Sequence, residues 1–171
     1  MNKRKKLTIL KSKFVFAHAK AARIYAELSY CVRLKVGAVI VKNGTPIAIG
    51  YNGMPSGEPN VCELPDGTTD PRVRHAEVNA LRKLCRSSES AEGAVMFLTH
   101  SPCPNCAIEL FEAGIKAVVF ENEFRDTSGV RSLLKKGLKV YRVDVEAGHI
   151  YEYISCFTHP VMMTEEDGIK I

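Results

Sequence analysis

A histidine and an acid two residues apart, His75-Ala-Glu77, are followed 28 positions after the histidine by Pro102-Cys103-Pro-Asn-Cys106. One imidazole and two thiolates make a three-donor zinc set whose fourth position is left to water, the arrangement of a catalytic rather than a structural ion. A carboxylate two residues from the histidine, not itself a ligand, can move that water's protons. The chemistry this pattern supports is metal-assisted hydrolysis, with His75, Cys103 and Cys106 holding the metal and Glu77 serving as acid and base. A redox pair or half of a structural finger is the plainer alternative for the two cysteines. A structural site wants a fourth ligand close by. Apart from His75 itself, no His or Cys lies between Cys62 and Cys85, and none lies between Cys106 and Gly114.

The neighbouring residues must carry these groups to one point. Residues 75–86 read as a helix with Ala76, Ala80, Leu81 and Leu84 turned inward, which puts His75 and Glu77 at its first turn. Pro102 is tolerated where a helix begins, and residues 106–114 continue it, so Cys103 and Cys106 stand three apart on one face of a first turn. Two helix N-termini then converge on one metal, and their dipoles favour thiolate over thiol. Without its neighbours Glu77 would read as a first-turn acid complementing a helix dipole.

A chain of 171 residues, 46% hydrophobic, suits one domain with a sizeable core, residues 14–171, behind a basic tail at 1–13. The tail holds six of the 24 cations (Lys3, Arg4, Lys5, Lys6, Lys11, Lys13) and none of the 19 acids, so the body carries 18 cations against 19 anions. A near-neutral body argues against a nucleic-acid binder despite the net charge of +5. With no apolar signal region and no apolar run approaching about 18 residues, the chain reads as soluble, cytoplasmic and off the membrane. Its six cysteines are then expected to be reduced, without disulfides.

Phe14, Ala17, Ala21, Ile24 and Leu28 recur at steps of three and four, giving an amphipathic first helix. Residues 36–41 and 46–51 flank Asn43-Gly44, a hairpin turn signal. Residues 52–73 hold Pro55, Pro59, Pro65 and Pro71 without periodicity and are longer than a plain connection, as functional loops often are. Strands follow at 94–99, 116–120 and 138–143, with a helix at 126–136 stopped by Gly137. The expected fold is α/β: a mixed five-stranded sheet with an N-terminal hairpin and helices on both faces. The segment after Asp144 fits a short helix or an extra strand.

Four motifs in order, Arg33-Leu-Lys-Val-Gly-Ala38, Gly50-Tyr-Asn-Gly-Met-Pro-Ser-Gly57, His75-Ala-Glu-Val-Asn-Ala80 and Ser101-Pro-Cys-Pro-Asn-Cys106, resemble the deoxycytidylate (dCMP) deaminases of phages and bacteria across residues 14–143. The wider superfamily shares a zinc-dependent chemistry in which a Glu exchanges protons with a nucleobase. Free-nucleoside deaminases resemble Cys-Ala-Glu where this chain has His75-Ala-Glu77, and transfer-RNA adenosine deaminases usually lack both Gly-Tyr-Asn-Gly and an Asn at position 79. The resemblance implies a three-layer α/β/α cytidine deaminase-like fold and hydrolysis of dCMP to dUMP and ammonia, feeding thymidylate synthesis in the cytoplasm, the host's if the gene is a phage's. Alternatives from other classes are a deaminase acting on a base within RNA or DNA and a silent zinc-binding module.

Residue by residue, the resemblance assigns Asn52 to the sugar hydroxyl, Arg33 to the 5′ phosphate with Arg125 as a second contact, and Phe124 to the base, with Ala76 and Ser101 beside the substrate. It also implies a homo-oligomer, a hexamer, activated by dCTP and inhibited by dTTP with Mg2+, the effector meeting Gly50, Tyr51, Gly53 and Asn79. Glycines there would allow close backbone approach to phosphates. Cys31 and Cys62 resemble two ligands of a second, structural zinc found in some phage members, which Cys156 and His159 could complete; buried hydrophobic thiols are the plainer alternative. His18, His100, His149 and, by default, His159 read as structural or exposed.

Overall fold

The computed structural model describes residues 9–155, 159–164 and 168–171. In chain order the elements are β1 (Ile9–Leu10), α1 (Ser12–Ala26), β2 (Gly37–Lys42), β3 (Thr45–Tyr51), α2 (Ala76–Leu84), β4 (Val95–His100), α3 (Pro104–Glu112), β5 (Ala117–Asn122), α4 (Ser128–Lys135), β6 (Lys139–Asp144), β7 (His149–Tyr153), β8 (Val161–Met162) and β9 (Ile169–Lys170). The hairpin turns where Asn43-Gly44 predicts it. Both residues have positive φ, 51° and 79°, and Lys42 pairs with Thr45 across a two-residue loop.

The main sheet has the order β3-β2-β4-β5-β6-β7-β8. Its centre, β4-β5-β6, is parallel, and the hairpin on one side and β7-β8 on the other are antiparallel. The strands are continuous apolar runs because both faces are covered. Ala38, Ile40, Met96, Leu98, Val118 and Phe120 belong to the core shared with α2, α3 and α4. Alternate residues Val39, Val41, Val95, Phe97, Ala117 and Val119 face the core of α1. The three-layer mixed fold stands as expected, widened by β7 and β8 from the segment the sequence left open. Those strands needed the free edge of β6 to pair with, and an available edge is a tertiary fact.

Helix α1 forms where expected but buries a different stripe. The residues against the sheet are Val15, His18, Ala19, Ala22 and Ala26, while Phe14, Ile24 and Leu28 lie outside. The reason is distance. A Cβ on Gly37 would stand 2.0 Å from the Ala22 carbonyl oxygen and 2.7 Å from the Ala26 nitrogen, so the helix backbone rests on the β2 glycine and only small residues fit between.

Ile9 and Leu10, in the segment read as a tail, pair with Lys170 and Ile169. Ile169 is fully buried, and the Tyr141 hydroxyl donates to the Lys170 carbonyl at 3.1 Å. Lys3, Arg4, Lys5, Lys6 and Cys156 fall outside the described residues. Among the described residues no helix is long and apolar enough to cross a membrane.

Candidate active site

The two metal-bearing motifs fold as first turns. His75 and Cys103 are the N-cap residues of α2 and α3, both in extended backbone, and Glu77 and Cys106 follow inside the helices. Pro104 occupies the first helical position of α3, where its missing N–H costs nothing. The Cys106 N–H points at the Cys103 sulfur, 3.5 Å away. Ala76, Ala80 and Leu84 are buried as expected, and Leu81 packs half-buried against the same core.

His75 Nδ1 lies 3.5 Å from Cys103 Sγ and 3.3 Å from Cys106 Sγ, and the three donor atoms all fall within 4.8 Å of one another. The Cys103 thiol is held down to about 4, chiefly by the hydrogen bond with the Cys106 thiol and also by His75, while Cys106 is pushed up as the partner that keeps the proton. A thiolate beside an imidazole and a second thiol is a soft donor set that suits zinc. Cys85, at the far end of α2, is exposed and takes no part. Glu77 is 4% exposed, and burial pushes its carboxyl upward from the ordinary range, toward holding a proton.

Glycine 129 fixes the α3 motif from behind. It lies in α4, and a Cβ there would meet the Pro102 carbonyl oxygen at 2.0 Å and the Cys103 carbonyl carbon at 2.8 Å. Gly129→Ala is expected to push α4 off the Cys103 turn. Overpacking of this kind costs ~1–3 kcal/mol, and the expected outcome is a lower melting temperature together with weaker zinc retention against a chelator. Wild-type retention would show that the turn does not lean on α4.

A cavity of about 480 Å³ opens over the metal-binding group. Arg33, Asn52, Ala76, Ser101, Phe124 and Arg125, the six residues assigned to substrate, all line it together with His75, Glu77 and Cys103. Their side chains are partly committed. Asn52 accepts from the Val36 N–H and donates to the Leu34 carbonyl, both at 2.8 Å, so one amide hydrogen is left for a ligand. Ser101 accepts from the Phe124 N–H at 2.8 Å and ties the loop after β5 to the cavity floor. Arg33 reaches Thr69 Oγ1 at 3.3 Å. The Arg125 guanidinium stacks 5.6 Å from the Phe124 ring centre.

Several cavity residues escaped the sequence. His100, read from the sequence as structural or exposed, is one that lines the cavity. Its Nδ1 is 3.2 Å from Thr99 Oγ1, the Gly37 N–H donates to that same hydroxyl oxygen, and burial lowers its basicity. Its place at the last position of β4, beside Ser101, was the available signal. Glu63 and Thr69 come from the long 52–73 loop, which closes on itself through paired Gly53 and Arg74. Glu63 accepts the Val32 and Arg33 N–H groups at 2.9 and 3.1 Å. Glu123, on the rim, accepts from the Tyr153 hydroxyl of β7. No periodicity in the sequence links Glu123 to a residue 30 positions away.

The effector candidates sit elsewhere. The close approach at Gly50 is to α2, because a Cβ would stand 2.2 Å from the Ala76 carbonyl oxygen, so helix packing and not a phosphate uses that missing side chain. Asn79 donates to the Tyr51 carbonyl at 2.8 Å. The space around Gly53 is open.

Cys31 and Cys62 form a disulfide with Cα atoms 5.0 Å apart. This corrects the expectation of reduced thiols throughout and leaves neither sulfur for a second zinc. The 52–73 loop folds back over the chain after α1 to wall the cavity, and that return brings together two cysteines 31 positions apart. Among the described residues no third metal-binding side chain joins them, and His159 is exposed. His18 packs against Phe97 with ring centres 5.2 Å apart, and His149 is exposed on β7.

Residues 11–122 match the family model of the cytidine and deoxycytidylate deaminase zinc-binding region. The deoxycytidylate deaminase of Enterobacteria phage T4 is 33% identical, over 71% of this chain and 86% of that one. The human deoxycytidylate deaminase is 37% identical, over 60% of this chain and 61% of its own length. The crystal structure of the dCMP deaminase from cyanophage S-TIM5 in complex with dCMP and dUMP superposes with a TM-score of 0.77 at 47% identity, covering 78% of this chain and 99% of that one.

Proposed function

The chain belongs to the zinc-binding family of cytidine and deoxycytidylate deaminases, and from that premise we propose that it hydrolyses dCMP to dUMP and ammonia. One observation carries the choice of substrate: a single cavity is lined by the buried carboxyl of Glu77, by the metal donors His75 and Cys103, and by two exposed guanidinium groups, Arg33 and Arg125. That layout takes a base inward and a phosphate outward. His75, Cys103 and Cys106 would hold zinc, whose Lewis acidity makes water nucleophilic near neutral pH.

Glu77 does the proton work. It accepts a proton from the attacking water and passes it to N3 of the cytosine ring as oxygen bonds to C4; it then takes the remaining proton from that oxygen and delivers it to N4, so that the C4–N4 bond breaks, C4 becomes a carbonyl and ammonia leaves. Burial, which raises its proton affinity, suits a group that must hold a proton between those transfers. Phe124 offers a face to the base, the remaining Asn52 amide hydrogen serves the sugar hydroxyl, and Arg33 with Arg125 takes the 5′ phosphate.

The proposal extends to a cytoplasmic homo-oligomer, a hexamer, activated by dCTP and inhibited by dTTP with Mg2+. Support for an effector site comes from the open backbone at Gly53 and Gly57, not from Gly50. A panel of dCMP, CMP, cytidine, dCTP, dAMP and a cytosine-containing oligonucleotide, followed by the cytosine-to-uracil absorbance change or by ammonia release, tests the assignment. dCMP is expected to have the highest kcat/KM, with a sigmoidal rate curve that dCTP makes hyperbolic. Allosteric coupling of typical size, about 1–3 kcal/mol, changes dCMP affinity some 5- to 150-fold. Preference for the oligonucleotide or dAMP would overturn the substrate, and a hyperbolic curve indifferent to both triphosphates would overturn the regulation.

A further inference from the structure

An apolar stripe along the outer side of α1, whose Ala21 also touches the core beneath, has the spacing of a helix-pairing seam. Phe14, Ala17, Ala21, Ile24 and Leu28 alternate steps of three and four over two heptads. Phe14, Ile24 and Leu28 are 45%, 63% and 51% exposed. Lys13, Lys20 and Glu27 recur every seventh residue along one edge of this stripe, with cations at one end and the acid at the other. The Lys13 ammonium already lies over the Phe14 ring, 5.1 Å from its centre.

We infer that α1 is the contact between two copies of this chain, packed antiparallel about a two-fold axis. Antiparallel packing sets Lys13 beside Glu27 of the partner subunit, and symmetry repeats the pair. Parallel packing would set like charge against like. Ala17 and Ala21 meet at the middle, where small residues let the helices approach, and Phe14 faces Ile24 of the partner subunit at each end. Lys20 falls near the axis, where its long stem lets the ammonium turn to solvent. An anionic membrane would want cations along the whole edge, and Glu27 stands on it. Two heptads bury less than the ~800 Å² per partner of a stable interface. Tyr30 and Val32, 65% and 85% exposed just beyond the helix, extend the surface.

This inference rests on the homo-oligomer reading and names its surface. Sedimentation equilibrium on the full zinc-loaded chain tests it, with turnover and circular dichroism measured on the same samples. The wild type is expected to associate, and Ile24→Glu to lower the mass at least two-fold with helix content and bound zinc unchanged. Lys13→Glu or Glu27→Lys alone should weaken association ~2- to 30-fold, the reach of two exposed ion pairs, and the double exchange should restore it. A monomeric wild type, an Ile24→Glu variant of full mass, or a double exchange no better than the singles would overturn the inference. So would anionic vesicles capturing a monomeric wild type but not Ile24→Glu. Loss of turnover in every sample at normal mass would instead strike the deaminase reading and leave the seam standing.

Discussion

Glu77→Gln is expected to keep its zinc and its fold and to lose at least ~10²-fold in kcat, the low end of what general acid and base catalysis supplies. The substitution keeps size and shape at a residue that is 4% exposed, so packing around Ala76 and Ala80 is undisturbed. An amide cannot accept the water's proton or deliver it to N3. His75, Cys103 and Cys106 are untouched, so metal content by elemental analysis should stay at one zinc per chain. A rate near wild type in the metal-loaded Gln variant would mean that another group moves the protons. Loss of zinc along with activity would instead give Glu77 a part in holding the ion.

The second large effect is selective. Arg33→Ala and Arg125→Ala should each lower kcat/KM for dCMP while hardly touching deoxycytidine, which has no 5′ phosphate. Hydrogen bonds to a charged partner are worth about 1.5–3 kcal/mol, or ~10- to 150-fold. Among the described residues neither guanidinium is in an ion pair with a carboxylate, so both are available to an anion. The loss should appear mainly in KM if the phosphate is bound equally in the ground and transition states. Equal slowing of both substrates by either variant would make that arginine structural, since Arg33 also braces Thr69 of the cavity wall.

What the sequence determined by itself is whatever depends on near neighbours. The His75, Glu77, Cys103 and Cys106 pattern, the first-turn placement of each motif, the Asn43-Gly44 turn and the five central strands follow from residue type and spacing, because local backbone geometry needs little else. The long-range features needed the folded chain. Which stripe of α1 is buried was decided by the missing side chain of Gly37 beneath Ala22 and Ala26, and hydrophobic periodicity favoured the larger residues that lie outside. The Cys31–Cys62 disulfide, the Tyr153 hydroxyl on Glu123, His100 in the cavity wall and Gly129 behind Cys103 all join segments far apart along the chain. Spacing along a chain records which groups share a helix face or a turn, whereas contact between distant segments is set by how closely whole layers pack, and that distance exists only once the sheet and its helices have closed on one another.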